Sequence, residues 1–468
     1  MQELADSIRR LAVWPLAGFI VICLTLTYWQ VAAAPQLNNA KENNRSERMR
    51  RRVEPGQLLT RDGLVILDAK KGDKGWERVY ADTQAFCHLT GYNGRSGLQK
   101  SLSDVFYAQG AYAHPLEDLL RGGDVGNNVY LTIDSGLQQR AHRLMRGRCG
   151  AVIAMDPRDG ALLTLYSSPT YDAAAVTASE DAYNVFVYDP QKPEINRSLQ
   201  GMYPPGSVFK IFTAAAAIDA GISGPDAKLH CAGTERIAGT VVKCRRGSGH
   251  GDLTLQWALA DSCNIAFAKL GDELGPGRFR QYVKQFHLLD AANLPLPTAV
   301  GRMADFKGFK GDMQLVEASY GQGATLITPL SIARLTATIA RGGEVIQPCL
   351  VDHVESPGGT GLAHGQGKVL GRAVSEETAQ AVAGMMRAVV EDGTGSVANL
   401  RGLKVAAKTG SAQNPSGDPH AWFTCFAPYE QPTVVVTVLV ENGGSGAEGA
   451  GPIAVDILQA AVASRPQR

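Results

Sequence analysis

The stretch "YPPGSVFKIFTAAAAIDAG", residues 203–221, puts a turn, a serine, a lysine and an apolar run into one short segment. Pro204, Pro205 and Gly206 mark the turn, and no proline or glycine interrupts the alanine-rich run before Gly221, so a helix is predicted to open near Ser207. In such a helix Ser207 and Lys210 lie one turn apart on the same face, where their side chains can meet. Val208, Phe209, Ile211 and Phe212 make the surroundings apolar. Desolvation penalises the charged form of an amine and depresses its pKa. A lysine tuned in this way accepts a proton from a neighbouring hydroxyl and turns it into a nucleophile. The same residues also describe a capping serine beside a lysine that snorkels past an apolar face. The pair alone leaves both readings open.

Two further clusters lie downstream. In "LTLQWALADSCNIAFAKLG", residues 253–271, Ser262 and Asn264 bracket Cys263 between two helical patterns. A short turn there presents both polar side chains to a pocket while Cys263 faces inward, although local capping explains Ser262 equally well. Cys263 has no neighbouring histidine to serve as its base, which argues against a thiol nucleophile. In "KVAAKTGSAQ", residues 404–413, Lys408 and Gly410 end an alternating strand. The glycine lets a ligand backbone approach closely, and Thr409 and Ser411 offer hydroxyls to a carboxylate. An ordinary strand end entering a turn would look the same.

Taken in order, Ser207-Val-Phe-Lys210, Ser262-Cys-Asn264 and Lys408-Thr409-Gly410 form the Ser-x-x-Lys, Ser-x-Asn, Lys-Thr-Gly series of the serine acyl-transfer enzymes that penicillin acylates. With "GAVIAMDP", "INRSLQGMYPPGSVFKI", "GQGATLITPL" and "HAWFTCFAP" beside them, the chain resembles the class B penicillin-binding proteins, membrane-anchored D,D-transpeptidases that cross-link peptidoglycan. The resemblance covers residues 125 to about 465 and is weak before them. No pattern of a glycan-polymerising domain is present in the N-terminal piece.

The resemblance implies an α/β fold of the penicillin-binding transpeptidase and serine β-lactamase type. Its central sheet would be mostly antiparallel and flanked by helices, preceded by a small N-terminal module and a transmembrane anchor. The strand pattern points the same way: two early strands around "DPRDG", three successive late strands with no room for helical crossovers, and helices between. By motif, Ser207 attacks the penultimate D-Ala carbonyl of a peptidoglycan stem peptide and releases the terminal D-Ala, with Lys210 taking the proton. Ser262 relays it to the leaving amine, Asn264 orients substrate and Lys210, and Lys408 adds positive potential. Thr409, Gly410 and Ser411 form the substrate-binding strand, and the backbone N–H groups of Ser207 and Ser411 the oxyanion hole. An acceptor amine then resolves the acyl-enzyme. The scheme requires no metal or organic cofactor. β-Lactams would inhibit, and a membrane glycosyltransferase of the shape and division family is the implied partner. A D,D-carboxypeptidase shares every catalytic residue and differs in the species that resolves the acyl-enzyme. A non-catalytic scaffold of a cell-wall complex is the alternative from another class. A β-lactamase would need a water-activating base, for which there is no local pattern.

The chain has 468 residues, 46 basic against 45 acidic, and a net charge of +1, so no general electrostatic case for nucleic-acid binding exists. Residues 11–34 carry no formal charge and suffice to span a hydrocarbon core of about 30 Å as a helix. This divides the chain into a short cytoplasmic tail (1–10), an anchor (11–34), a linker and small pedestal (35–124) and the transpeptidase domain (125–468). Lys41, Arg45, Arg48, Arg50, Arg51 and Arg52 follow the span, and by the positive-inside rule favour a cytoplasmic C-terminal side. The substrate implied by the resemblance requires the opposite, a cell-membrane protein with its catalytic domain extracytoplasmic. Among eight cysteines, Cys231 and Cys244 flank a glycine-centred segment that could form a hairpin, which makes a disulfide possible there. No cysteine has the close pairing expected of a zinc site.

Overall fold

The structure, a computed structural model, describes residues 2–29, 33, 52–73, 75–114, 125–306, 311–415 and 417–464. Of the basic run after the span, only Arg52 falls within the described residues.

The run "PTVVVTVLVEN" forms the strand Val434–Val440, and every one of its residues is buried. It lies in the middle of a five-stranded sheet in the order Ala406–Ala412, His420–Ala427, Val434–Val440, Gly150–Met155, Leu162–Ser168. All four pairings are antiparallel, as the sequence predicts. The strand side chains alternate between two cores, Val435 and Leu439 to one and Val434, Val436 and Val438 to the other. A sheet covered on both faces needs nearly continuous apolar strands, and in Val434–Val440 only Thr437 breaks the run, its hydroxyl 2.8 Å from Thr424 Oγ1. The helices Lys210–Asp219, Pro329–Ala340 and Glu376–Glu391 cover the first face, and Ser135–Leu144 and Gly451–Ala463 the second.

A second, mixed sheet includes strands from the segment before residue 125. Its order is Gly361–His364, Val351–Glu355, Asn128–Leu131, Leu58–Leu59, Val65–Gly72, Gly75–Tyr80. Leu58 and Leu59 run parallel to Val129 and Tyr130, and the other neighbours are antiparallel. Leu58, Ile66, Leu67 and Phe86 belong to the same apolar core as Ile211 and Phe212. A two-residue strand cannot bury a core of its own, so the N-terminal segment completes its packing on the larger domain.

Among the described residues no helix is long and apolar enough to cross a membrane. A helix does run Gln2–Thr27, with Pro15 inside it, and Trp14, Phe19, Ile20, Val21, Ile22 and Leu24 on it are exposed.

Candidate active site

Residues Gly206–Phe209 form a single 3₁₀ turn that runs directly into the helix Lys210–Asp219, so the predicted helix opens with a tighter first turn. Gly206 has a φ of 55°. A Cβ there would lie 3.1 Å from Ala412 Cα, and one on Gly410 would lie 3.1 Å from Val208 Cγ1. The two glycines therefore let the edge strand Ala406–Ala412 lie against the serine turn. That apposition brings Ser207 and Ser411 to adjoining segments of backbone.

Ser262 sits between the helices Leu255–Ala260 and Asn264–Gln285 with a left-handed φ of 58°. Cys263 Sγ caps the second helix by accepting from Ala266 N at 3.5 Å. The turn holds Cys263 fully buried and directs Ser262 and Asn264 toward Lys210, as the sequence predicts.

The centre of the site is the fully buried Lys210 amine. Its Nζ lies 3.1 Å from Ser207 Oγ, 2.7 Å from Ser262 O, 3.2 Å from Ser262 Oγ and 2.7 Å from Asn264 Oδ1. The Ser262 carbonyl and the Asn264 Oδ1 can only accept, so they take two N–H bonds. A neutral amine has two N–H groups and one lone pair, and with both donors engaged the lone pair is left for the Ser207 hydroxyl at 3.1 Å. The cage thus satisfies Lys210 without a charge. Burial lowers its pKa to about 8, against an opposing influence from Cys263 and Cys244.

Lys408 is also fully buried and donates to Ser262 Oγ at 3.0 Å and to Thr409 O at 3.0 Å. Burial first, and then Lys210 and Arg245, push it well below the ordinary lysine range. One hydroxyl thus bridges two amines, and two ammonium charges this close in a buried site disfavour each other. Their titrations are therefore linked, each charge disfavouring the other.

Thr409 Oγ1 lies 2.7 Å from Thr394 Oγ1, and Ser411 Oγ accepts from Gly446 N at 3.2 Å. Ser207, Ser262, Asn264, Thr409, Gly410 and Ser411 all face one cleft of about 820 Å³. The structure brings every motif residue together. It also adds residues that the sequence reading left out. Thr394 belongs to "EDGTGSVA", which carries no catalytic signal in the sequence yet orients Thr409. Lys243 and Arg245 at the end of a hairpin wall the cleft, and Asn264 Nδ2 donates to Lys243 O at 3.0 Å. His420 is a structural residue whose Nδ1 accepts from Asn442 N at 3.2 Å.

The possible disulfide between Cys231 and Cys244 is corrected: all eight cysteines are free thiols. Cys231 instead pairs across to Gly251, joining the strands Lys228–Cys231 and Gly251–Thr254, while Cys244 Sγ lies 3.9 Å from Cys263 Sγ. Strand pairing, invisible to local spacing, gathers thiols that the sequence scatters.

Residues 150–459 match the family described as the penicillin binding protein transpeptidase domain. The peptidoglycan D,D-transpeptidase PbpA of Mycolicibacterium smegmatis is 31% identical over 493 residues, covering 98% of this chain and 98% of its own. Penicillin-binding protein A of M. tuberculosis in its ceftriaxone acyl-enzyme complex superposes with a TM-score of 0.82 at 29% identity, covering 89% of this chain and 100% of that one. Its penicillin G acyl-enzyme complex gives a TM-score of 0.80 at 30% identity, over 88% of this chain and 100% of that one.

Proposed function

The chain belongs to the penicillin-binding protein transpeptidase family, and from that premise we propose that Ser207 is the nucleophile of a serine-type peptidoglycan D,D-transpeptidase. The observation that carries this reading is the Lys210 cage, in which two acceptor-only oxygens at 2.7 Å leave the lone pair of a neutral amine for Ser207 Oγ at 3.1 Å. Lys210 takes the Ser207 proton as Oγ bonds to the penultimate D-Ala carbonyl carbon. The backbone N–H groups of Ser207 and Ser411 stabilise the oxyanion. Ser262, 3.2 Å from Lys210 and 3.0 Å from Lys408, returns the proton to the departing D-Ala amine. Lys408, 3.0 Å from Ser262 Oγ, adds positive potential beside Lys210. Thr409 and Ser411 hold the terminal carboxylate of the donor peptide, and Gly410 keeps the strand open to its backbone. An acceptor amine from a second stem peptide then attacks the acyl-enzyme and regenerates Ser207. β-Lactams acylate the same serine.

The reading extends to topology and partners. Residues 11–34 act as a single-pass anchor, supported by the helix Gln2–Thr27 and its exposed apolar side chains, and the catalytic domain lies outside the cytoplasmic membrane. The division of the chain follows the same lines, with residues 35–124 as a linker and small pedestal and 125–468 as the transpeptidase domain. A membrane glycosyltransferase would supply the glycan strand to be cross-linked.

The test is intact-mass spectrometry of the full chain in detergent after incubation with benzylpenicillin, followed by peptide mapping. A one-to-one adduct on Ser207, absent from Ser207→Ala, is expected. Folded wild-type protein that forms no adduct with several β-lactams, and turns none over, would refute the assignment. Stem-peptide assays then separate amine from water as the acceptor, and protease protection of the catalytic domain in permeable cells would contradict the topology.

A further inference from the structure

Beyond the acyl-transfer site, one side-chain cluster has no part in the chemistry just described. Cys231, Cys244, His250 and Cys263 present four ligand atoms that all lie within 4.8 Å of one another. We infer that these four residues bind one zinc ion, and that the ion fastens the turn carrying Ser262 and Asn264 to the hairpin that walls the cleft.

The distances suit a tetrahedral cage. Zinc with sulfur at about 2.3 Å and nitrogen at about 2.0 Å separates its ligands by about 3.8 Å between two sulfurs and about 3.6 Å between sulfur and nitrogen. Cys244 Sγ lies 3.9 Å from Cys263 Sγ and 3.3 Å from His250 Nδ1. A disulfide needs sulfurs about 2.05 Å apart, and a bridge between any two of the cysteines would leave the third thiol and the imidazole without a role. The three cysteines are buried and His250 is half-buried at the rim, which gives the ion a way in.

The backbone around the cluster is built for this convergence. The strand Lys228–Cys231 pairs with Gly251–Thr254, and between them stands the hairpin Thr234–Ile237 with Thr240–Lys243. Gly249 has a φ of 81°, and a Cβ there would lie 2.3 Å from the Cys231 carbonyl oxygen. That close approach sets His250 beside Cys231. Within the hairpin only Ile237 and Val242 are buried, so its own core is too small to hold it. Small excursions with so little apolar burial depend on a staple.

Four protein ligands fill the coordination of zinc, so the ion is structural and takes no part in acyl transfer. Binding expels the thiol protons to solvent. Its consequence for the known site passes through Cys263, which lies between Ser262 and Asn264, and through Cys244, which follows the Lys243 carbonyl that Asn264 grips.

The test uses full-length protein in detergent, purified under reducing conditions, supplied with one equivalent of zinc and passed through a desalting column. Zinc is counted by plasma mass spectrometry, and cobalt(II) loading is read by visible absorption. We expect close to one zinc per chain, a tetrahedral thiolate-cobalt spectrum, and loss of both in Cys244→Ser and His250→Ala, with Ser207→Ala retaining them. Fewer than half a zinc per chain in the wild type would overturn the assignment. Retention of the metal by both ligand variants would overturn it too, since the ion would then sit elsewhere. Because the cobalt spectrum is read on wild-type protein, a variant that fails to fold leaves the test decisive. Neither readout depends on the acylation of Ser207.

Discussion

Asn264→Ala isolates the proton logic of the Lys210 cage. The substitution removes the Oδ1 acceptor 2.7 Å from the amine and leaves the Ser262 carbonyl in place. A hydrogen bond to a charged group contributes about 1.5–3 kcal/mol and one to a neutral group about 0.5–1.5, so the ammonium form loses about 1–1.5 kcal/mol more than the neutral form. At 1.36 kcal/mol per pKa unit the lysine drops by about one unit. The reactive species is the neutral amine, which accumulates above its pKa, held at about 8 in the parent chain. The rise of acylation rate with pH should therefore have its midpoint near 8 in the parent and about one unit lower in Asn264→Ala. The plateau should fall as well, toward the roughly 100-fold cost of a misplaced catalytic group, because one of the two bonds that aim the lone pair is gone. Asn264→Asp reverses the first effect, since a carboxylate at that distance favours the ammonium and moves the midpoint above 8. Lys408, Cys244, Cys263 and Arg245 are the other titratable groups that act on this amine or its partner, and none is altered. Stopped-flow acylation by a fluorescent penicillin from pH 5.5 to 10 measures both quantities. An unmoved midpoint in both variants would show that Lys210 is not the titrating base.

Other substitutions probe the rest of the site. Ser262→Ala removes the hydroxyl shared by the two amines and should slow acylation by about 100-fold or more, with the fold unchanged by circular dichroism. Thr394→Val deprives Thr409 of its partner and should weaken β-lactam binding before acylation by about 3- to 10-fold, with little change in the acylation step; an equal loss in that step would argue against a carboxylate-binding role. Trp422→Phe leaves the Pro204 carbonyl without the indole N–H now 3.0 Å away and should cost about 1–3 kcal/mol, read as a lower midpoint in chemical denaturation.

The site was legible because its chemistry is written in three local motifs, each on an element whose type the sequence declares. Ser207 and Lys210 are one turn apart, and Lys408 to Ser411 lie on an alternating strand, so local periodicity placed them before any tertiary contact was known. The central sheet was legible for a related reason, because "PTVVVTVLVEN" is apolar at every buried strand position except Thr437. What escaped depends on pairing between distant segments. Thr394 meets Thr409 only after the helix Glu376–Glu391 has packed beside the strand Ala406–Ala412. Cys231 meets His250 only through the register of Cys231 with Gly251. The N-terminal strands showed short apolar pieces but nothing that named the partners Asn128–Leu131 and Val351–Glu355.

That six-stranded sheet also bears on how such chains diversify. Leu58 is locked to Val129 and Leu59 to Tyr130, while Val129 in turn faces Val354 from more than two hundred residues downstream. A gene exchange between relatives with its crossover near residue 124 would import strands whose side chains never met the recipient's. Such hybrids inherit a mismatched seam at the buried Leu58, Val129 and Val354, and those that survive should carry compensating changes there. Ancestry in this part of the chain is therefore expected to travel as one block, with recombination breakpoints falling nearer the apolar N-terminal helix than the start of the catalytic sequence.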